Sequence, residues 1–354
     1  MKKTSALILG LLLCLTALTA AGNSDPLISR SYLEGEFLRS LEDSVSERLD
    51  VSDEAVRAGL EPSSPPGEAP LARELMLKEG DILSGTAGMS LTPLGGDVHL
   101  EGSGGAVVDV TEGAEVPAGQ PLKASHRYIV AEPASFTVSS PAAVLSCEGG
   151  GTLAPSGSPD YFAIARALRT MGLFQGTGTG FGEGFDLHLA PTRGEGLVMF
   201  LRILGEEDQA LAYTGGHPFT DVPGWLERYV AWAYAKGYAN GVAADRFGCQ
   251  QKISAVEYEE FLLRAMGYSV AGVDDYTTSL VRALNCGALT GGEYAMLQDH
   301  AFLRAHVAYL SYFSLDVPTG GSGETLAQRL TAAGAVTEEQ LASARAQADL
   351  LRIS

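Results

Sequence analysis

Hydrophobic positions change their period several times along the chain. Over residues 25–60, Tyr32, Leu33, Phe37, Leu38, Leu41 and Val45 recur at helical spacing behind Pro26, which suits an early helical position. One amphipathic helix cannot bury its stripe alone, so this segment must pack on another domain or on a partner. Residues 61–70 hold Pro62, Pro65, Pro66 and Pro70 and read as a stiff linker. Over residues 71–148 the segments shorten. Asp97–Leu100, Ala106–Val110, Arg127–Val130, Phe136–Ser139 and Ala143–Ser146 mostly carry a β-branched or aromatic residue. Gly, Pro and Asp separate them roughly every eight to twelve residues, which predicts a small all-β sandwich or barrel. Residues 149–159, rich in Gly, Ser and Pro, read as a second linker. The helical period returns at Asp160 and lasts to about Leu315. Beyond the flexible Gly320-Gly321-Ser322-Gly323, residues 324–333 and 338–351 predict two C-terminal helices. The second carries a Thr337–Gln340 cap and a stripe of Leu341, Ala344, Ala348 and Leu351.

The clearest stretch is Phe219–Gly267. Trp225, Tyr229 and Trp232 recur at the spacing of one helix face. Gly237 ends that helix as a C′ glycine, and Ser254-Ala255-Val256-Glu257 opens the next as a capping box. Phe261, Leu262, Ala265 and Met266 form its buried stripe. Weaker copies flank it. Gly172-Leu173-Phe174-Gln175-Gly176, Gly237-Tyr238-Ala239-Asn240-Gly241 and Gly287-Ala288-Leu289-Thr290-Gly291 each follow one helix and precede a loop and a second helix. The second helices begin at Thr192-Arg193-Gly194-Glu195, at Ser254 and near Leu303-Arg304-Ala305-His306. The units run over about 160–205, 219–268 and 274–315. Neither helix of a unit can bury its face alone, so the three units should share one core. The expected fold is therefore multidomain, α and β: an N-terminal helix, a small all-β domain, a three-repeat all-α bundle and C-terminal helices.

Charge narrows the partners. The 354 residues carry a formal net charge of −19. A surface this acidic argues against nucleic acid, which needs a basic footprint, and against docking on an anionic membrane. Lys2 and Lys3, the uncharged run 6–21 and the small Thr19-Ala20-Ala21 predict an export signal over residues 1–22, with a retained anchor as the alternative. Once it is removed, no stable membrane span is expected. Cys147, Cys249 and Cys286 then remain, which is no disulfide framework; Cys249 and Cys286 could pair, but three small apolar fillers is the preferred reading. No cofactor, metal site or catalytic residue is expected. His99 and His126 have no second ligand at metal-type spacing, and His300 and His306 do not share a helix face. The glycine-rich run 176–184 fits neither the phosphate-loop nor the dinucleotide spacing. No nucleophile motif occurs, so the protein reads as non-enzymatic.

The repeated residues resemble the S-layer homology (SLH) family. The second copy carries Phe219-Thr220-Asp221-Val222-Pro223 with Trp225, then Gly237-Tyr238-Ala239-Asn240-Gly241, Phe247 and the helix-opening Ser254. The family signature at that helix start is Thr-Arg-Ala-Glu, and Thr192-Arg193-Gly194-Glu195 differs by one residue. The resemblance covers about 160–315. It implies a secreted protein associated with the cell wall or S-layer, anchored without catalysis. Grooves between repeats would bind an anionic secondary cell-wall polysaccharide, often pyruvylated. By position, Arg193, with Thr192 and Glu195, would read charge in one groove; Asp221, Gly224 and Trp225 would line a wall; Arg304 would be the third counterpart. An arginine just inside a helix start sits beside free N–H groups that favour anions, and a tryptophan face can stack on a sugar. The second copy has Ala255 where the arginine stands. The third has Leu303 and His306 for Thr and Glu, and so lacks the capping box. The alternative is a structural protein whose units keep their fold but bind other envelope proteins instead of glycan.

Overall fold

The computed structural model describes residues 73–102, 106–268, 278–299, 301–347 and 352–354. The chain divides into Met1–Ala69 and Pro70–Ser354, and all described residues lie in the second unit. The expected export signal, helix 25–60 and linker 61–70 lie outside them.

Among the described residues, ten strands form two antiparallel sheets. They are β1 (Arg73–Lys78), β2 (Ile82–Gly85), β3 (Ser90–Gly95), β4 (Val98–Leu100), β5 (Val107–Asp109), β6 (Ala114–Glu115), β7 (Tyr128–Val130), β8 (Ala134–Val138), β9 (Ala142–Glu148) and β10 (Gly151–Ala154). One sheet runs β1-β9-β3-β7-β5-β6 and the other β10-β2-β8-β4. Leu77, Leu91, Tyr128 and Leu145 from the first meet Leu83, Val98, Phe136 and Val138 from the second in a sandwich core. Pro93 sits in the central strand β3, where it can give no ladder hydrogen bond; the register shifts between Pro93 and Gly95.

Strand β9 explains how this sandwich joins the helices. Ala143, Leu145 and Cys147 point into the sandwich core. Ala142 and Val144, on the opposite face, belong to the helical core, with Met76 and Leu94 packed beside them. Period-2 alternation with both faces apolar marks a strand buried on two sides. The second linker is corrected accordingly. Gly151–Ala154 pair with β2, and Ser156 N donates to Asp81 Oδ1 at 2.7 Å. Burial works to raise the Asp81 carboxyl pKa, but the Ser156 and Lys78 N–H groups and the Lys78 ammonium outweigh it and hold it below its usual range.

At the same junction Gly95 leaves room for the His188 ring, which stacks on Phe181 with centroids 6.0 Å apart. A Cβ at Gly95 would stand 2.4 Å from the imidazole. Burial depresses the His188 pKa, against the charges of Asp186 and Asp97. The unfolded imidazole therefore takes its proton first as pH falls. Stability should drop by at most roughly 1.4 kcal/mol per pH unit below about 6.5, until the folded pKa is passed. Urea unfolding of His188→Gln beside the wild type should show that slope reduced.

The helices are α1 (Tyr161–Thr170), α2 (Arg193–Ile203), α3 (Glu207–Ala212), α4 (Glu227–Ala235), α5 (Ala255–Ala265), α6 (Ser279–Cys286), α7 (Gly291–Asp299), α8 (Arg304–Ser314), α9 (Leu326–Ala332) and α10 (Glu338–Gln347). They surround one apolar core that includes Leu168, Phe200, Phe261, Leu280 and Tyr309. Gly172, Gly237 and Gly287 end α1, α4 and α6 with φ of 75°, 69° and 79°. After the first two, Leu173 N returns to Leu168 O and Tyr238 N to Ala233 O, closing Schellman turns. Helix α10 docks on α1, with Ala344 buried and Gln340 Nε2 donating to Thr170 O at 3.4 Å. Ala348 and Leu351 of its expected stripe lie outside the described residues.

One expected helix start is corrected. Trp225 is not on the buried face of α4. The Pro223-Gly224 turn delays the helix to Glu227, and Leu226 takes the buried position that spacing had assigned to Trp225. All three described cysteines are free thiols, so Cys249 and Cys286 are not paired.

Candidate functional site

Thr192 caps α2 as expected. Its Oγ1 accepts from Glu195 N at 3.2 Å, and Glu195 Oε2 accepts from Thr192 N at 2.6 Å. The next two amides are also taken: Arg193 N donates to Gln251 O at 2.7 Å and Gly194 N to Cys249 O at 3.0 Å. The expected anion site at this helix tip is therefore already filled by carbonyls of the loop before α5. Gly194 permits the approach, since a Cβ there would meet Leu226 Cδ2 at 2.7 Å and Cys249 O at 3.2 Å.

The Arg193 side chain runs inward and is 1% exposed. Its Nη1 donates to Glu257 Oε1 at 2.8 Å and its Nη2 to Asn240 O at 2.9 Å. The guanidinium lies 5.0 Å from the ring centroids of both Phe247 and Phe261. Glu257 thus does two jobs, because its Oε2 also caps α5 by accepting from Ser254 N at 2.9 Å. In this position Arg193 ties α2 to the second helix–loop–helix unit and presents no charge to a groove, contrary to the role the resemblance implied.

Arg304 repeats the arrangement. It is 7% exposed, its Nε donates to Phe185 O at 2.9 Å, its Nη2 to Gln175 O at 3.2 Å, and it lies over Phe174. Arg304 N and Ala305 N donate to Leu189 O and Leu187 O, as Arg193 N and Gly194 N do to Gln251 O and Cys249 O. Asn240 and Gln175 are the fourth residues of their glycine-flanked pentapeptides. Each arginine therefore reads the same backbone carbonyl of another unit. Burial lowers the Arg304 pKa, opposed by the charges of Glu195 and Asp186. The cap of α8 also survives in part. His306 Nδ1 accepts from Leu303 N at 3.0 Å, which leaves the neutral ring's proton on Nε2.

The second unit exposes what the arginines withhold. Asp221 accepts from Phe247 N at 2.7 Å and Gly248 N at 2.8 Å, and Thr220 N donates to Asp245 O. Burial would raise the Asp221 pKa, but those amides lower it further. The carboxylate thus ties the segment before the Pro223-Gly224 turn to the loop at Phe247 and Gly248. Beyond that turn Trp225 is 58% exposed, and Gly224 faces open space. Arg246 is exposed in the facing loop, and Lys252 is exposed beside Thr192, with which it forms an isolated β-bridge. Arg246 and Lys252 were missed in sequence because neither falls on the helix-start motif.

Asp109, Glu112 and His126 also converge, with ligand atoms within 4.8 Å of one another. Their mutual bonding accounts for the grouping. His126 Nδ1 lies 2.8 Å from Asp109 Oδ2, Lys123 pairs with Glu112, and Asp109 Oδ1 accepts from Thr111 N and Glu112 N.

The stretch from the Asp221 turn through α4 to the Ser254 cap is what known families recognise. The S-layer homology domain family matches residues 218–254. This chain carries an S-layer homology domain. No curated protein matches it. The SLH match contains Asp221, Gly224, Trp225, Arg246 and Lys252, and lies between Arg193 and Arg304 in sequence. An SLH domain indicates association with the cell envelope. Among the described residues no helix is long and apolar enough to cross a membrane.

Proposed function

We propose that three helix–loop–helix units sharing one core hold this protein to the cell wall, without catalysis, by binding an anionic wall polysaccharide at the surface around Trp225. The observation that carries this reading is a large aromatic side chain left mostly in solvent within the SLH match. An indole face can stack on a sugar ring while its N–H meets a hydroxyl. Arg246 and Lys252 supply exposed positive charge in the same unit of an otherwise acidic chain, and Gly224 leaves the approach open. Pyruvylated sugars fit this chemistry because each carries a carboxylate.

Co-sedimentation of the full chain with purified wall sacculi tests it, with and without their acidic polysaccharide. Trp225→Ala should weaken retention about tenfold or more, equivalent to about 1.4 kcal/mol. Undiminished binding by that variant, or equal binding to stripped sacculi, would reject the site. A second reading has its own support. Both buried arginines hold the units together without offering a guanidinium to glycan. In that version the units bind other envelope proteins, and retention would require those proteins on the sacculi.

A further inference from the structure

A cleft of about 340 Å³ lies between the α2–α3 elbow and α9, at the small end of the range that ligand pockets occupy. Glu206 and Asp208 line it from the elbow and Arg329 from α9, with Leu204, Leu326 and Leu330 as its apolar part. No residue of its lining falls within the SLH match at 218–254, so the cleft is not the surface around Trp225. Its two sides meet at Gly205, where a Cβ would stand 2.7 Å from Ala335 Cβ and 3.1 Å from Leu330 Cδ2.

The lining carries both signs of charge. Arg329 is half-buried, yet among the described residues it makes no ion pair, and its hydrogen bond is the long one from Nη1 to Ala265 O at 3.4 Å. A guanidinium offers its donors in a planar fork that matches a carboxylate, and most of this fork is uncommitted. Glu206 is fixed in place: Oε2 accepts from Trp232 Nε1 at 2.8 Å and Oε1 from Tyr238 OH at 3.0 Å. Each oxygen keeps acceptor capacity for a further donor. Burial, then the Glu206 charge, push the Tyr238 hydroxyl pKa up, and Arg329 pulls it back, so both charges reach the same hydroxyl. Asp208 adds a second carboxylate, which is exposed. Helices α2 and α9 also end at this cleft, at Gly205 and Gly334, with φ of 67° and 72°. The negative ends of their dipoles favour a cationic group.

We propose that this cleft binds a small zwitterion of the amino-acid class, free or as a short peptide. Its carboxylate meets the Arg329 fork, its ammonium meets Glu206 and Asp208, and its apolar side lies on Leu204, Leu326 and Leu330. A plain anion would be repelled by the two acids, and a plain cation by Arg329, so selectivity rests on carrying both charges.

Amide chemical shifts of the full chain test this with three probes. Alanyl-alanine carries both charges, glucuronate the carboxylate alone and ethanolamine the ammonium alone. The dipeptide should bind with a Kd of about 1 mM or tighter, at least tenfold below that of either analogue, with shifts centred on Gly205, Asp208 and Gly334. Arg329→Gln should weaken the dipeptide about tenfold or more. Asp208→Asn changes an exposed side chain and leaves the fold intact; it should weaken the dipeptide about threefold and tighten glucuronate. Glucuronate binding as tightly as the dipeptide would overturn the proposal. Shifts centred elsewhere, or variants that bind all three probes like the wild type, would overturn it equally.

Discussion

Arg193→Met should destabilise the fold by roughly 3–5 kcal/mol, the usual cost of breaking a buried ion pair from one side. Methionine fills much of the volume between Phe247 and Phe261 but returns nothing to Glu257 Oε1 or Asn240 O. The carbonyl loses a charged donor in a buried setting, and the α2 tip loses its tie to the second unit. Arg193→Lys should recover only part of the loss, since an ammonium cannot lie flat between two rings and span both acceptors. Urea unfolding measures the cost directly. Glycan binding by the surviving folded fraction should be close to that of the wild type, because Trp225, not Arg193, faces solvent. A variant with unchanged stability and lost binding would return Arg193 to the groove.

The second large effect is at Gly241. A Cβ there would stand 2.4 Å from Phe219 Cε1 and 2.5 Å from both Ala243 O and Arg246 O. Two of these neighbours are backbone, so no rotamer change clears the space. Gly241→Ala should cost about 2–3 kcal/mol or more, at the upper end of overpacking. Gly237, four residues earlier in the same pentapeptide, is different. Its φ is +69° and nothing lies within 4 Å of an added Cβ. Gly237→Ala should cost only about 1–2 kcal/mol, the strain of a left-handed alanine. Thermal unfolding of the pair separates the two causes. Equal losses would show that the loop before Arg246 can move aside.

Much was legible because it rests on neighbours in the chain. A helix stop needs one residue at positive φ, and Gly172, Gly237 and Gly287 announce three of them. The boxes at Thr192, Ser254 and Thr337 need only a side chain three residues from its partner. The central strands stood out by their short apolar runs, whereas β1, with Arg, Glu and Lys among Leu and Met, carries no strand signature of its own. It becomes a strand by pairing with β9, some seventy positions away. Strand β10 resembles a linker in sequence for the same reason, since its partner β2 lies far back in the chain.

At the candidate site the division is sharper. Sequence placed an arginine at the tip of α2 and a tryptophan after a Pro-Gly turn. It could not say which faced water. Spacing put Trp225 on one face with Tyr229 and Trp232, but the helix starts only at Glu227, and Leu226 is buried in its place. Glu259 and Glu260 are adjacent acids with opposite fates, because one meets two arginines and the other none.

The sequence by itself determined where helices start and stop, where the period changes from helix to strand, and which segment is SLH-like. These depend on backbone preference and side chains within a turn of one another. Only the tertiary structure decided that Arg193 and Arg304 turn inward, that Trp225 turns outward, and that the sandwich and helices share β9. A guanidinium goes where carbonyls and aromatic rings from other units await it, and those partners stand 47, 64 or 129 residues away.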